Sequence, residues 1–337
     1  MTKSYNKLFL KNKIEDFQKG KQKESFEELK DYLIQYPEDT LARYNFGLMA
    51  QTLGLINEAK KQYTITIDKD KNNWQAQFNL YILYINEKNY NSALLLIDSV
   101  LELKSNFQPA LRDKALVLNY LNKPDEAIKY IKKSIEINTV DYIAINILGL
   151  IYLNMKLYDQ AINEFEKALK INNNYIPSYN NLSTCYSKKF DLKQTEKILL
   201  KALSIDSENI ETINNIANVY SQKGKYDEAI KCYQKILSKT NNKSDILYNI
   251  GVAYFYKKEF NQGEKFYKKA YALDPNNDVL KKNYSLLLLA QQKFREGWHL
   301  YDGRLNLNEF LFKNSTLDNV KKKLWIKQKI NKNDKIL

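Results

Sequence analysis

"KYDEAIKCYQKIL" at residues 225–237 has a near copy 68 residues upstream, "LYDQAINEFEKAL" at 157–169, and another 34 residues downstream, "EFNQGEKFYKKAY" at 259–271. Both offsets are multiples of 34, and a period of that length outranks any local reading of the chain. With the alanine of "YDEAI" as position 20, the frame runs from Asn6 to Leu311 without insertion or deletion, as nine units of 34 residues. Position 20 is then Ser25, Ala59, Ala93, Ala127, Ala161, Thr195, Ala229, Gly263 and Gly297, all of them small.

Other positions sort by size in the same frame. Position 8 holds Gly47, Ala115, Gly149, Ser183, Ala217, Gly251 and Ser285, with Tyr81 out of line. Position 11 holds Tyr84, Tyr152, Tyr186, Tyr220 and Tyr254, and position 24 holds Tyr63, Phe165, Tyr233, Tyr267 and Tyr301. Small residues let two helices approach closely and rings fill the wedge beside them, so the aromatics at both positions are expected to face the core. Within each unit the apolar spacing is about 3.6 over two stretches. Breaks fall near positions 14 to 17 (Gly54, Pro124, Gly224) and 30 to 33 (Pro37, Pro275). Each unit is therefore a pair of antiparallel helices. A pair this small cannot bury a core alone, so each copy supplies half of its neighbour's core.

The bulk composition agrees. The 337 residues include nine glycines and five prolines, and no stretch reads as a linker, which favours one continuous helical body. Hydrophobic residues at 44% and charged residues at 27% give a globular balance. No apolar run reaches the ~18 residues of a membrane span, and the opening "MTKSYNKLFLKNKIEDF" is broken by lysines and acids where a signal peptide needs an unbroken core. These features predict a cytoplasmic protein without a membrane partner. Cys185 and Cys232 lack a CxxC or metal-ligand spacing, which fits a reducing compartment. The net charge is +14, but 49 of the 53 basic residues are lysine, the others being Arg43, Arg112, Arg295 and Arg304. Bidentate phosphate and base recognition is mostly arginine work, so the excess argues against nucleic acid and reads as the coding bias of an AT-rich genome. Lysines recur at positions 22 and 26 (Lys129 and Lys133, Lys197 and Lys201, Lys231 and Lys235, Lys265 and Lys269), with Glu126 and Glu228 three residues ahead of position 22 to pair with them on a solvated face.

These residues resemble the tetratricopeptide repeat family: small at 8, Tyr at 11, Ala at 20, aromatic at 24, Ala at 27 (Ala168, Ala202, Ala270) and Pro at 32. The fit is best at 142–175, 210–243 and 244–277. The resemblance implies an all-α fold, an α-solenoid in the form of a right-handed superhelix of about nine 34-residue helix-turn-helix units. A degenerate cap would occupy 1–39, where Lys13 stands at position 8. Seven repeats would follow at 40–73, 74–107, 108–141, 142–175, 176–209, 210–243 and 244–277, then a degenerate repeat at 278–311 and a tail at 312–337. The family's Trp at position 4 is missing, replaced by Arg43, Gln77, Leu111, Ile145, Tyr179, Ile213 and Leu247. Pentatricopeptide RNA binders, which step by about 35 residues, do not fit a frame that holds at 34.

No catalytic constellation is present. The sole histidine, His299, excludes a His pair or His metal cluster and is expected to be a packing residue, and there is no Gly-rich phosphate loop. No catalytic residue, cofactor or metal is expected, nor a small-molecule ligand. The resemblance places the first helices on a concave surface, and their position 6 reads Asn45, Asn79, Asp113, Ile147, Asn181, Asn215, Asn249 and Asn283. A carboxamide donates and accepts, so a column of them can pair with the main chain of an extended peptide whatever its side chains. The row is similar to the asparagine ladder of O-linked N-acetylglucosamine transferases. The rival reading is that these asparagines cap or bridge helices; against it, Asn is a poor interior helix residue and its recurrence asks for a reason. Neighbouring positions run from apolar (Phe78, Ile82, Ile85, Leu116, Tyr120, Leu150, Leu153) through polar (Asn180, Thr184, Ser187, Asn214, Asn218, Ser221) to apolar again (Tyr248, Val252, Phe255, Tyr256), which suits an uncharged segment with apolar anchors. The basic rows of carboxylate clamps are absent, with Arg112 a lone candidate.

The segment "FREGWHLYDGRL" at 294–305 resembles the "EGWxxYExR" stretch that closes the repeat array in many bacterial tetratricopeptide proteins, ahead of a GT-B glycosyltransferase domain. Trp325 and "NDKIL" at 333–337 look like the lead-in to that domain. The expected function is a protein-interaction scaffold with a peptide groove; the alternative is the acceptor-recruiting arm of a bacterial glycosyltransferase resembling O-linked N-acetylglucosamine transferase, whose catalytic domain is absent from this chain.

Overall fold

The computed structural model describes residues 2–301, with side chains from residue 7 onwards. Among these residues there are eighteen α-helices and no strand. The first ten form five pairs: α1 (Thr2–Gln18) with α2 (Gln22–Gln35), α3 (Thr40–Thr52) with α4 (Ile56–Lys69), α5 (Trp74–Asn86) with α6 (Tyr90–Leu103), α7 (Gln108–Tyr120) with α8 (Pro124–Ile137), and α9 (Tyr142–Asn154) with α10 (Tyr158–Ile171). Then come α11 (Ile176–Lys188) and α12 (Leu192–Ile205), followed by the pairs α13 (Ile210–Gln222) with α14 (Tyr226–Leu237), α15 (Lys243–Tyr256) with α16 (Phe260–Leu273), and α17 (Asp278–Ala290) with α18 (Phe294–Tyr301). The helices cluster into two compact units, up to Asp191 and from Leu192, so the division falls inside the sixth repeat.

The turn inside each pair is the same device. Position 15 has a positive φ in all nine units: Gly20, Gly54, Lys88, Asn122, Lys156, Phe190, Gly224, Lys258 and Gln292. The following N–H reaches back to the carbonyl of position 11, as from Leu55 to Ala50 at 2.8 Å and Lys225 to Tyr220 at 2.8 Å. That is a Schellman closure, which satisfies the last carbonyls of the first helix and turns the chain back. Between pairs, position 34 caps the next first helix. Asp39, Asn73, Asp141, Asn209 and Asn277 accept from the N–H two or three residues on. Where position 34 is Phe107 or Tyr175, a proline in the first turn takes over, its missing N–H needing no acceptor.

Packing inside a pair follows residue size. A Cβ added at Gly47 would stand 2.7 Å from the Tyr63 ring, and one at Gly149 2.7 Å from Phe165. Where position 8 is instead Tyr81, position 24 shrinks to Ile97, and both are buried. Position 20 is buried throughout the described units, down to 0% exposure for its alanines. The rings of Tyr63, Phe165, Tyr233 and Tyr267 at position 24 are fully buried, each contributing about 2 kcal/mol.

The tyrosines at position 11 face the core as expected, with Tyr84, Tyr152, Tyr220 and Tyr254 packed against buried clusters, but are only half-buried, and Lys60 Nζ lies 4.5 Å from the Tyr84 ring centroid. The lysines at positions 22 and 26 are exposed as expected, but Glu126 pairs with Lys123 at 3.6 Å rather than with Lys129. Position 26 instead reaches the preceding repeat, where Lys133 and Lys235 donate to the carbonyls of Ser105 and Ser207.

Candidate peptide-binding face

The six asparagines at position 6 are all half-buried on first helices. Asn45, Asn79 and Asn181 stand on α3, α5 and α11 of the first unit, and Asn215, Asn249 and Asn283 on α13, α15 and α17 of the second. Three make the same bond. Asn79 Nδ2 donates to the Tyr44 hydroxyl at 3.0 Å, Asn181 Nδ2 to Asn146 Oδ1 at 3.2 Å, and Asn283 Nδ2 to the Tyr248 hydroxyl at 2.5 Å. Each acceptor is position 5 of the preceding repeat, 35 residues upstream. The bond fixes the carboxamide plane and leaves Oδ1 as the free acceptor.

The other three differ. Asn45 Nδ2 folds back to the carbonyl of Leu41 in its own helix at 2.8 Å. Asn215 and Asn249 make no hydrogen bond with the described residues. Beside Asn249, the Oδ1 of Asn214 is buried without a partner. Asn180, expected in the polar middle of the face, is buried.

The two breaks in the row have their own chemistry. Asp113 pairs with Arg112 at 3.0 Å, and Arg112 also reaches Asp141 at 3.5 Å, so this arginine is not available for a free carboxylate. Burial raises the Asp113 carboxyl above its usual range while Arg112 pulls it down. At Ile147 the carboxamide has moved one residue back. Asn146 is buried and its Oδ1 accepts from both Ser178 and Asn181.

In the second unit the first helices line a cleft of about 610 Å³, whose wall includes Glu211, Asn214, Asp245, Tyr248, Asn249 and Asn277. A cleft of this size falls within the range of ligand pockets. Asp245 accepts from Asn242 at 2.5 Å, and Asn277 bonds Asp274 at 3.1 Å while capping α17. The wall carries two acids and no base, in a chain of net charge +14. Glu211 and Asp245 occupy position 2 of consecutive repeats, a periodicity visible in the frame that the expectation of an uncharged ligand segment did not use. Burial raises the Tyr248 phenol, keeping it a neutral donor at ordinary pH, with the Asn283 bond opposing the shift.

Among the described residues no group of three His, Cys, Asp or Glu is placed to hold a metal ion. No helix among them is long and apolar enough to cross a membrane. His299 is exposed near the end of α18, contrary to a packing role, because that helix has no following helix among the described residues to cover it. Cys185 is buried, which pushes its thiol up to about 12, and both cysteines are free. Of the closing segment, only 294–301 lies within the described residues; Asp302, Gly303, Arg304, Trp325 and 333–337 lie outside them.

Helix pairs repeating in strict register, each closed by the same turn and packed small against large, define an all-α helical-repeat protein. Four family profiles match in overlapping succession: the Psidin N-terminal TPR repeats region at 79–210, tetratricopeptide repeats at 198–231 and 244–277, and a TPR repeat at 217–258. The chain belongs to the tetratricopeptide repeat family, a fold that supports protein–protein interaction. Among solved structures it is similar to a tetratricopeptide repeat protein from Parabacteroides merdae ATCC 43184, at 17% identity and a TM-score of 0.60, covering 74% of this chain and 98% of that one. It is also similar to a chain of the APC/C hetero-tetramer Cut9-Hcn1, at 16% identity and a TM-score of 0.62, covering 87% of this chain and 57% of that one. A third likeness is to PilW, a type IV pilus biogenesis factor, at 14% identity and a TM-score of 0.55, covering 62% of this chain and 98% of that one. At these identities the likeness is one of fold. No curated protein matches the sequence.

Proposed function

We propose that the chain is a non-catalytic cytoplasmic scaffold that holds an extended protein segment by its main chain, through Asn45, Asn79 and Asn181 in the first unit and Asn215, Asn249 and Asn283 in the second. The observation that carries this reading is the state of the carboxamides at the second-unit cleft. Asn249 has no hydrogen-bond partner among the described residues and Asn214 Oδ1 is buried and unsatisfied, beside a cleft of about 610 Å³. A buried acceptor left unpaired costs about 1–3 kcal/mol, and rotation of the Asn214 carboxamide into the cleft would let a peptide N–H pair with it. The acids Glu211 and Asp245 favour a Lys or Arg among the segment's side chains.

The test is selection of 12-residue peptides from a random library on the purified chain, followed by titration of the selected peptide. Asn215→Ala with Asn249→Ala should weaken capture at least tenfold while leaving the melting temperature unchanged. Full capture by a folded double variant would refute the reading.

A second reading rests on the likeness of 294–305 to the segment that precedes GT-B domains: this chain as the acceptor-recruiting arm of a glycosyltransferase. The genomic reading frame past Leu337 decides it. A continuation into a sugar-nucleotide site supports the arm, and a frame without one removes its basis.

A further inference from the structure

The first unit holds a second cavity, away from the row of position 6 asparagines. It measures about 560 Å³ and lies between α2, α3 and the start of α4, with Phe26, Leu33, Phe46 and Leu55 among its walls. Arg43 of α3 faces it together with Gln62. The Arg43 side chain belongs to a residue only 9% exposed. Its Nη1 donates to Gln62 Oε1 at 2.7 Å and its Nη2 to the carbonyl of Pro37 at 2.8 Å, while Nε is buried without an acceptor. Both acceptors are neutral. Glu58 is one residue removed, its Oε1 taken by the Gln62 amide at 2.6 Å, and Glu38 is held by Lys69 at 2.5 Å. A buried guanidinium therefore has no carboxylate in contact, an arrangement folding alone does not favour.

The repeat itself does not require a cation there. In the six units that follow, position 4 is Gln77, Leu111, Ile145, Tyr179, Ile213 or Leu247, all uncharged. In the last unit it is Lys281, which pairs with Asp278 at 3.1 Å. Arg43 is a buried charge with no carboxylate in hydrogen-bond contact, facing a cavity whose wall also carries Lys30, Lys61 and Glu58. Lys61 at the rim is exposed and makes no ion pair with the described residues, adding positive potential at the opening.

We propose that this cavity binds a carboxylate carried on an apolar stem, the carboxylate meeting the Arg43 guanidinium and the stem lying on Phe26, Leu33, Phe46 and Leu55. The fixed fork of guanidinium N–H groups suits a planar carboxylate better than a single-point anion, and the apolar walls supply affinity that a small inorganic anion could not gain. The proposal is independent of the peptide reading above, since it uses other residues and another cavity.

The experiment is calorimetric titration of the full chain with decanoate, decan-1-ol and decylamine, which share one stem and differ in the head group. Decanoate should bind at least tenfold tighter than decanol, and decylamine should not bind. Arg43→Gln should reduce decanoate affinity at least tenfold and leave decanol unchanged; its folding is checked by circular dichroism, since the change also removes the bonds to Gln62 and to the Pro37 carbonyl. Leu55→Glu, at the half-exposed rim, provides a second variant that keeps the guanidinium and should abolish decanoate binding by repulsion. The capped peptide acetyl-Leu-Leu-Glu-Leu-amide separates the sources. Binding of decanoate alone assigns a free acyl carboxylate; tighter binding of the peptide assigns an acidic, apolar protein segment. Equal affinity for decanoate and decanol, no binding of either carboxylate, or undiminished decanoate binding by folded Arg43→Gln would overturn the proposal.

Discussion

Asn79 and Asn181 in the first unit donate to a side chain of the preceding repeat, whereas Asn249, at the same frame position in the second unit, bonds to nothing among the described residues. The difference lies 35 residues upstream. Tyr44 and Asn146 at position 5 present an oxygen to the next carboxamide; Asn214 at the corresponding place leaves its Oδ1 buried and empty. One residue type at one frame position thus serves two physical ends. Where position 5 accepts, the asparagine ties adjacent first helices together and offers one lone-pair oxygen. Where it does not, as at Asn249, the carboxamide makes no hydrogen bond with the described residues.

The largest effect expected from a comparison of the two units concerns their close approaches. Gly149→Val in the first unit should cost about 3 kcal/mol, because a Cβ there falls 2.7 Å from the Phe165 ring. In the second unit, Gly251→Ala puts its Cβ 3.1 Å from Tyr267 and should be within about 1 kcal/mol of neutral, since gained helix propensity offsets mild crowding. Urea unfolding of the two variants checks this; equal costs would show that the ring at position 24 does not set the helix spacing.

Next in size is binding. Asn249→Ala should weaken a selected peptide by about 2 kcal/mol, and Asn79→Ala by less, because its Nδ2 is already engaged. Calorimetry with one peptide on both variants decides the order, and a reversed order would break the distinction between tied and open carboxamides. The complementary stability difference is smaller. Asn79→Ala should lose about 1 kcal/mol through its bond to Tyr44, while Asn249→Ala loses none, as read by denaturant midpoints.

The smallest effects lie in the turns. Phe190 in the first unit and Gly224 in the second share the left-handed position, with φ of 61° and 75°. Phe190→Gly should stabilise by about 1 kcal/mol and Gly224→Ala destabilise by about as much. If Phe190→Gly lowers the melting temperature, the ring, 90% exposed, has a contact beyond the described residues.

The frame made most of the fold readable because size is periodic: nine small residues at position 20 and the small-against-large match of 8 with 24 are written in the residues themselves. The left-handed position 15 was less legible. Only Gly20, Gly54, Gly224 and Asn122 mark it by type, while Lys88, Lys156, Phe190, Lys258 and Gln292 adopt it because the Schellman closure imposes it. That the tyrosines at position 11 face the core was legible, but not that they stay half-exposed, because hydrophobic periodicity reports which side of a helix faces inward, not how far it is covered. The position 6 row was visible, but the fate of each carboxamide was not, since it depends on a partner one repeat away. Arg43 was legible as a departure from the family's Trp; its missing counter-charge and its cavity emerge only when α2, α3 and α4 are packed together.

The central claim, that open carboxamides read a peptide's main chain, is tested most directly by a backbone N-methyl scan of the selected peptide, run beside an alanine scan of its side chains. The account predicts that N-methylation of the residues over Asn214 and Asn249 weakens binding at least tenfold, while alanine replacement of the same residues changes it by less than about threefold. Tolerance of N-methylation with loss on alanine replacement would contradict it.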